Sequence, residues 1–514
     1  MENNKTCASI YGQLESSRQP FLDRARECSL LTIPALIPRS GHTGTSKLTT
    51  PWQGIGARGV NNLASKLLLA LFPPNTPFFR LAIDDFTLEK LTQQEGMRAK
   101  VEEGLNKIER SVMAEIEGSA LRVGGFEALK HLLVSGNVLM YLPTEGGVRV
   151  FHLDRFVTRR DPMGNVLDII IKENVSPLTI PEEMRAAVLG EGDDSTTVDK
   201  NIEMFTHVWR DNKKWRVYQE VKGIRVPGSD GDYPIDKSPW VPVRFSKIDG
   251  EDYGRGYVEE YLGDLKSLEG LTQAIVEGSA AAAKLVFLVN PNGTTDKADL
   301  ASSENGAFVD GNVQDVNVLQ LQKFNDFRVA HDTINGITER LSYAFMLNSA
   351  VQRSGDRVTA EEIRYMAGEL EDGLGGIYSI LSQEMQLPLV KRLMFAMERQ
   401  KRLPALPDGT VSPVIVTGME ALGRGHDLNK LNIFLQNLSP LGPQALAEYL
   451  EISDYITRVG TSLGIDMKGL IKSQEKVDAA RQQVQEAQMM QQMAVPGMQE
   501  ASKMMQQGMA NENQ

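Results

Sequence analysis

The sequence predicts an α+β fold that is predominantly helical, on three observations. Apolar residues recur at helical spacing before about Leu133 and again after Gly254. Between Asn137 and Gly254 the pattern changes to short apolar segments broken by Gly, Asp and Asn turns. From Thr359 a long amphipathic helix opens on a T-x-x-E capping box, in which the Thr359 hydroxyl and the Glu362 carboxylate each satisfy a backbone N–H that the first turn leaves unpaired.

Taken in order, Tyr11, Leu14, Phe21, Leu22, Ala25 and Cys28 predict an N-terminal helix ending before Pro34, followed by a polar Gly/Ser/Thr loop from Arg39 to Thr50. Val60, Leu63, Leu67 and Leu71 mark one side of the next helix, and further helices are expected around Leu88 to Glu117 and Phe126 to Leu133. The segments VLMYL, VRVFHL, VLDIIIKENV, FTHVWR and WRVYQEV, separated by TEGG, DPMGN and DNKK, predict antiparallel hairpins. The acidic run from Gly190 to Lys200 reads as an exposed loop. Leu262, Leu265, Leu268, Ile275 and Ser279 trace one helical face, and Phe327, Ala330, Ile334, Ile337, Leu341 and Ala344 trace another. Between these helices lie three strand-like pieces, LVFLV, AFV and VNVLQLQ, divided by NPNG and DGN turns. In the helix after Thr359, Ile363, Met366, Leu370, Leu374, Ile377 and Leu381 share a face, while Gly373, Gly375, Gly376 and Pro388 predict a bend. After Pro404 shorter helical stretches run to about Ile471, and the Gln- and Met-rich segment from Ile471 to Gln514 predicts a peripheral helix followed by disorder.

The chain of 514 residues is too long for one core, and at roughly 150 residues per domain it suggests three or four. A net charge of -12 argues against a protein whose main task is gripping phosphate backbones. Cys7 and Cys28 are too few for a disulfide framework or a thiolate cluster, and read as buried small apolar residues of a chain made in a reducing cytosol. MENNKT lacks the apolar core of a signal peptide, and the richest apolar run, LASKLLLALF, holds a lysine and stops at Pro73 and Pro74, so no membrane insertion is expected.

Chemistry finds little purchase. GIGARG (Gly54, Gly56, Gly59) matches a dinucleotide fingerprint, but KLTTPWQ precedes it where a buried strand is required, so the expectation is a turn whose glycines allow close packing. No phosphate loop is present; GSAAAAK lacks its second glycine. The six histidines form no H-x-x-x-H or H-E-x-x-H pair, the pairs Asp84/Asp85 and Asp193/Asp194 sit in polar stretches, and G-x-S-x-G is absent. No catalytic residue, metal site or cofactor is therefore expected. The remaining feature is the loop before the capped helix. Arg353 and Arg357 are either surface residues or, because cations are mildly disfavoured where a helix dipole is positive, contacts for an outside anionic partner.

Three segments carry a resemblance: TPWQGIGARGVNNLASKLLLALFPP from Thr50, NSAVQRSGDRVTAEEIRYMAGELEDGLGGIYSILSQEMQLPLVKRL from Asn348, and GRGHDLNKLNIFLQNLSP from Gly423. They closely resemble the head-to-tail connector, or portal, family of T7-like short-tailed bacteriophages. The resemblance implies a portal fold of wing, stem, clip and crown, assembled as a ring of about twelve subunits at one capsid vertex. It implies wing over residues 1–252, a first stem helix over 253–284, clip over 285–323, a second stem helix over 324–346 and a channel loop over 347–358. Residues 359–403 would be a long wing and crown helix, 404–470 crown, and 471–514 the C-terminal helix and tail. Gln352, Arg353, Ser354, Gly355 and Arg357 would form the DNA-channel loop. The implied function is a virion conduit through which double-stranded DNA, read without sequence preference, is packaged by the terminase and later ejected. The implied partners are scaffolding and major capsid proteins, tail adaptor proteins and internal core proteins, with synthesis in the bacterial cytoplasm. An acidic chain with few loop arginines suits such sliding, since a wall neutralising many phosphates would act as a brake. Another ring-forming virion protein, such as a tail adaptor, is the alternative; the length and the order helix, insertion, helix, loop, helix disfavour it.

Overall fold

The computed structural model describes residues 6–460 apart from 40, 75–76, 84–96, 145–146, 183, 186–200, 284–285, 320–323, 348–367, 369, 371–373, 375, 405–410, 416–430, 432, 443–449, 451–454 and 457–458. The chain divides into two compact units rather than three or four, Met1–Ile83 with Ile108–Glu420, and Asp84–Lys107 with Ala421–Gln514. The length prior fails because helices far apart in sequence share one core in the first unit. In the second unit most described residues are helical, among them 433–438 and the 3-10 turn Ser439–Leu441.

The first unit opens with α1 (Cys7–Leu30), capped by the Thr6 hydroxyl, which accepts from Ser9 N at 3.3 Å. Its buried face packs on a six-stranded antiparallel sheet of β4 (Phe156–Arg160), β5 (Val166–Val175), β6 (Ile202–Asp211), β7 (Lys214–Val221), β8 (Ile224–Arg225) and β9 (Gly231–Pro234). Tyr11 meets Phe205 edge-on at 5.5 Å, and Cys7 is a free thiol buried in this packing; Cys28, near the other end of α1, is also a free, buried thiol. The expected hairpins are present. Lys222 and Gly223 link β7 to β8 at φ 48 and 81, the doubly left-handed geometry that matches strand twist.

A second layer gathers α2 (Ile55–Leu71), α4 (Leu121–Ser135) and the sheet order β10-β2-β3, with β10 at Trp240–Arg244, β2 at Asn137–Tyr141 and β3 at Arg149–Phe151. α4 buries Leu121, Ala128, Leu129, Leu132, Leu133 and Val134, so it is apolar nearly all round, as a helix enclosed by neighbours must be. β2, central and buried on both faces, accordingly reads as a continuous run, NVLM, rather than alternating. The carbonyls that α2 leaves unpaired at its end are met from above by α9 (Gly376–Leu381) and the turn after it: Tyr378 Oη donates to Ala70 O at 2.7 Å, and the Gln386 amide donates to Leu71 O.

Two expectations are corrected. AFV (307–309) is not a strand; it lies between α7 (Lys297–Ser302) and the 3-10 turn Val313–Asp315, with Phe308 fully in solvent, so nothing pairs it. Residues after Pro404 are not wholly helical, since β13 (Val411–Ile415) pairs antiparallel with β1 (Phe79–Ile83); Pro413 is tolerated because this two-stranded sheet leaves an edge free. Where a bend was expected, a π-turn, Ser382–Gln386, stands immediately before α10 (Leu387–Arg399), which carries Pro388 in its first turn, whereas Gly373 and Gly375 lie outside the described residues. Of the helix expected around Leu88 to Glu117, Met97–Gly118 (α3) is helical, and 88–96 lie outside the described residues. The capping box Thr359/Glu362, the run Gly190–Lys200 and the segment after Ile471 also lie outside the described residues.

Two histidines in this core make stability pH-dependent. His131 of α4 stacks on His152 with ring centroids 6.2 Å apart, and burial pushes their pKa values down to about 3 and about 4. Lys130 beside His131 and Arg155 beside His152 act in the same direction. The folded protein therefore keeps both rings neutral at pH 5, whereas the unfolded chain binds protons below about 6.5. The stability contributed by the neutral pair is complete above about pH 6.5 and is lost as pH falls, by up to about 1.4 kcal/mol per pH unit for each histidine. His131→Phe is expected to flatten the fall of the urea midpoint between pH 7 and pH 5; equal slopes in variant and parent would refute this.

Candidate functional site

Two helices, α6 (Leu262–Ala282) and α8 (Phe324–Ala344), run antiparallel and carry the segments of interest at both ends. Their direction follows from two contacts: Asp264 early in α6 pairs with Arg340 late in α8 at 2.8 Å, while a side chain at Gly278, late in α6, would strike the Phe327 ring early in α8. The seam is well filled where α6 begins and α8 ends, with Leu265, Leu268, Ile337, Leu341 and Phe345 buried. Away from it the pair is open. Val276 is 46% exposed, Val329 65% and Tyr343 73%, and Ala280, Ala281 and Ala283 are exposed as well. The helical expectation for this stretch holds, but the face that includes Ser279 is not covered within one chain.

At the far end the helices are bridged by a hairpin of β11 (Val286–Val289) and β12 (Val316–Leu319), in the register Phe287↔Val318 and Leu288↔Asn317. Asp315 fixes its base, accepting from Thr294 N at 2.9 Å and Thr295 Oγ1 at 3.3 Å. Phe287, Leu288, Phe308, Val313 and Val318 are exposed on this small body. An isolated two-stranded hairpin with bare apolar side chains is marginal by itself.

At the near end the structure shows how α8 hands over to the loop. Met346 has φ 52 and donates to Tyr343 O at 3.0 Å, while Leu347 N donates to Ser342 O at 2.8 Å. This pair of bonds is a Schellman stop, formed around a methionine where glycine is usual. The strain of a non-glycine residue there is held by α2: Asn62 Nδ2 donates to Phe345 O at 3.0 Å and Met346 O at 3.1 Å, and Lys66 Nζ donates to Met346 O at 3.1 Å. A lysine at a helix C-terminus also meets the negative end of the dipole. The same helix packs its GIGARG start closely: a side chain at Gly59 would lie 2.5 Å from the Phe345 ring. Gly56 and Gly59 serve packing, as expected, whereas a side chain at Gly54 would meet open space.

Gln352, Arg353, Ser354, Gly355 and Arg357 all lie outside the described residues, so their positions are not among the geometry above. Sequence reasoning missed the clamp at Met346 altogether. Its signal was Asn62 and Lys66, polar residues beside the apolar row Val60, Leu63, Leu67 and Leu71. Among the described residues no cluster of His, Cys, Asp and Glu could hold a metal ion, and no helix is long and apolar enough to cross a membrane.

This geometry defines a class: an α+β body carrying an antiparallel helix pair and a two-stranded sheet whose apolar side chains stay exposed within one chain. The sequence pattern of the family described as bacteriophage head to tail connecting protein matches residues 4–471. The portal protein of Escherichia phage T7 is 45% identical over 475 residues, 91% of this chain and 88% of that one. The portal protein of Enterobacteria phage T3 is 44% identical over 481 residues, covering 92% and 90%. Among solved structures, the neck of an empty gene transfer agent particle superposes with TM-score 0.36 at 10% identity, over 74% of this chain and 86% of that one, a likeness too slight to build on. The chain belongs to the head-to-tail connecting proteins of bacteriophages, the portal family.

Proposed function

We propose that about twelve copies close head to tail into a ring at one capsid vertex, through which double-stranded DNA enters under the terminase and later leaves. The observation that carries this reading is the family match over residues 4–471, joined to 45% identity with a portal protein over 91% of the chain. The open faces of α6 and α8 support it, since a rotation repeated around a ring covers the same two patches on every subunit. In this reading residues 1–252 are wing, α6 and α8 lie in the stem, the hairpin region 285–323 is clip, and 359–470 return through wing to crown. The clip docks the terminase and then tail adaptor proteins; scaffolding, major capsid and internal core proteins meet the ring during head assembly in the host cytoplasm. The protein acts without catalysis or cofactor. Native mass spectrometry of the purified chain is expected to show a closed ring of about twelve subunits. Monomer or dimer alone, across protein concentration and salt, would sink the reading.

The loop residues are assigned to DNA. Gln352, Arg353, Ser354, Gly355 and Arg357 face the channel, and the two arginines make transient phosphate contacts whose weakness permits sliding. Arg353→Ala with Arg357→Ala is expected to leave ring yield unchanged, because exposed charges contribute within about 0.5 kcal/mol to stability. Particles carrying the double variant should retain less packaged DNA or eject it abnormally. Normal DNA content and ejection would reduce both arginines to surface residues.

A further inference from the structure

The chain contains three Asn-Gly pairs, Asn292–Gly293, Asn305–Gly306 and Asn335–Gly336. A glycine after an asparagine leaves the side-chain amide open to attack by the glycine's own backbone nitrogen, because no Cβ stands in the way. What holds that N–H and that amide decides whether the attack occurs, and the fold treats the three pairs differently. Asn335 and Gly336 lie in the middle of α8, where backbone N–H groups are spent on the helical ladder, and the Asn335 amide also meets His331 Nδ1 at 3.1 Å. At the second pair, Gly293 N donates to Asn290 O at 3.0 Å and Asn292 N donates to Asn290 Oδ1 at 3.1 Å. The Asp315 carboxylate crowds that glycine, since a Cβ on Gly293 would lie 2.5 Å from Oδ2, and its negative charge opposes loss of a proton from the nitrogen.

Asn305 and Gly306 stand free. They are the two central residues of a turn between α7 and the 3-10 turn Val313–Asp315, closed by Ala307 N donating to Glu304 O at 3.0 Å, with Gly306 at φ 88. Both residues are exposed, and nothing lies within 4 Å of the place a Gly306 Cβ would take. Among the described residues neither the Asn305 amide nor the Gly306 N–H has a hydrogen-bond partner. The single hydrogen bond across the turn is what must open for the Asn305 amide carbon to swing onto the Gly306 nitrogen.

We propose that Asn305 is a site of spontaneous deamidation selected by the fold. The Gly306 nitrogen gives up its proton to solvent and bonds to Asn305 Cγ; the Cγ–Nδ2 bond breaks, and ammonia leaves with a proton taken from water. Water then opens the resulting succinimide at either carbonyl, giving aspartate or isoaspartate. Either product replaces a neutral amide by a carboxylate close in sequence to Phe308, whose side chain stands fully in solvent. On the assignment of 285–323 to the clip the new charge falls on the docking region; the conversion itself does not rest on that assignment.

The test is incubation of the purified full-length protein at mildly alkaline pH, followed by tryptic digestion and mass spectrometry. Each pair falls on its own peptide, 285–297, 298–323 or 329–340, so the three rates are read separately, with fragment ions placing the change at Asn305. Asn305 is expected to convert at least about tenfold faster than Asn292 and Asn335, the factor that one retained backbone hydrogen bond carries. In urea that unfolds the chain the three rates should converge, and Asn305→Gln should leave peptide 298–323 unmodified in the folded protein. An Asn305 that stays intact in the folded protein, Asn292 or Asn335 reacting as fast, or a preference for Asn305 undiminished in urea overturns the proposal.

Discussion

Gly136→Ala is expected to cost about 3–5 kcal/mol, enough to unfold the first unit in mild urea. Gly136 ends α4 at φ 72, where a side chain is strained, and a Cβ there would lie 2.5 Å from Gly256 N and 2.7 Å from Arg255 Cα. Both obstacles are backbone, and they cannot swing aside. Their own position is fixed, because Asn137 Nδ2 donates to Gly254 O at 2.8 Å and Gly254 N donates back to Asn137 Oδ1 at 2.7 Å. Gly136 also hydrogen-bonds on both sides, donating to Leu132 O and accepting from Phe245 N, each at 2.9 Å. Gly228 supplies the control: its φ is 74 but open space surrounds it, so Gly228→Ala carries only the backbone strain, roughly 1 kcal/mol. The comparison is read from urea midpoints at unchanged m. Equal losses for the two variants would show that the contact with Arg255 yields.

Val276→Glu combined with Val329→Glu is expected to abolish ring assembly and leave the subunit folded. Both valines are exposed within one chain, so each substitution should shift subunit stability by no more than about 0.5 kcal/mol. In the proposed ring the next copy would cover these positions, and each junction would then enclose charges without partners, at several kcal/mol per junction. That penalty recurs at every junction. Size exclusion and native mass spectrometry supply the reading, with circular dichroism as the check on folding. Rings at parental yield would mean that the open face of α6 and α8 is covered by something other than a second copy.

The candidate site was legible in part. The helix pair was marked by the spacing of Leu262, Leu265 and Leu268 and of Ile337, Leu341 and Ala344, because one turn of helix returns a residue to the same face. The hairpin between them was marked by β-branched runs beside NPNG and DGN turns. Alternation alone overreached at AFV, where Phe308 stands in solvent with no strand beside it. The clamp on Met346 was not legible, since it depends on Asn62 and Lys66 arriving from 284 and 280 residues away in the sequence.

By itself the sequence determined the local elements: α1, α2, α4, α6, α8 and the hairpins of β5, β6 and β7, whose conformations follow from side-chain spacing, caps and turn residues within a few positions. It also determined the family, because long stretches in order leave little room for coincidence. Only the tertiary structure decided that β2 lies between β10 and β3, that β13 pairs with β1 across more than the length of a domain, and that Gly136 must have no side chain. Each of these depends on surfaces distant in the chain meeting in space. Local preference constrains one residue's backbone and its near neighbours; which faces bury one another is set by the free energy of the whole core, to which no short window of sequence has access.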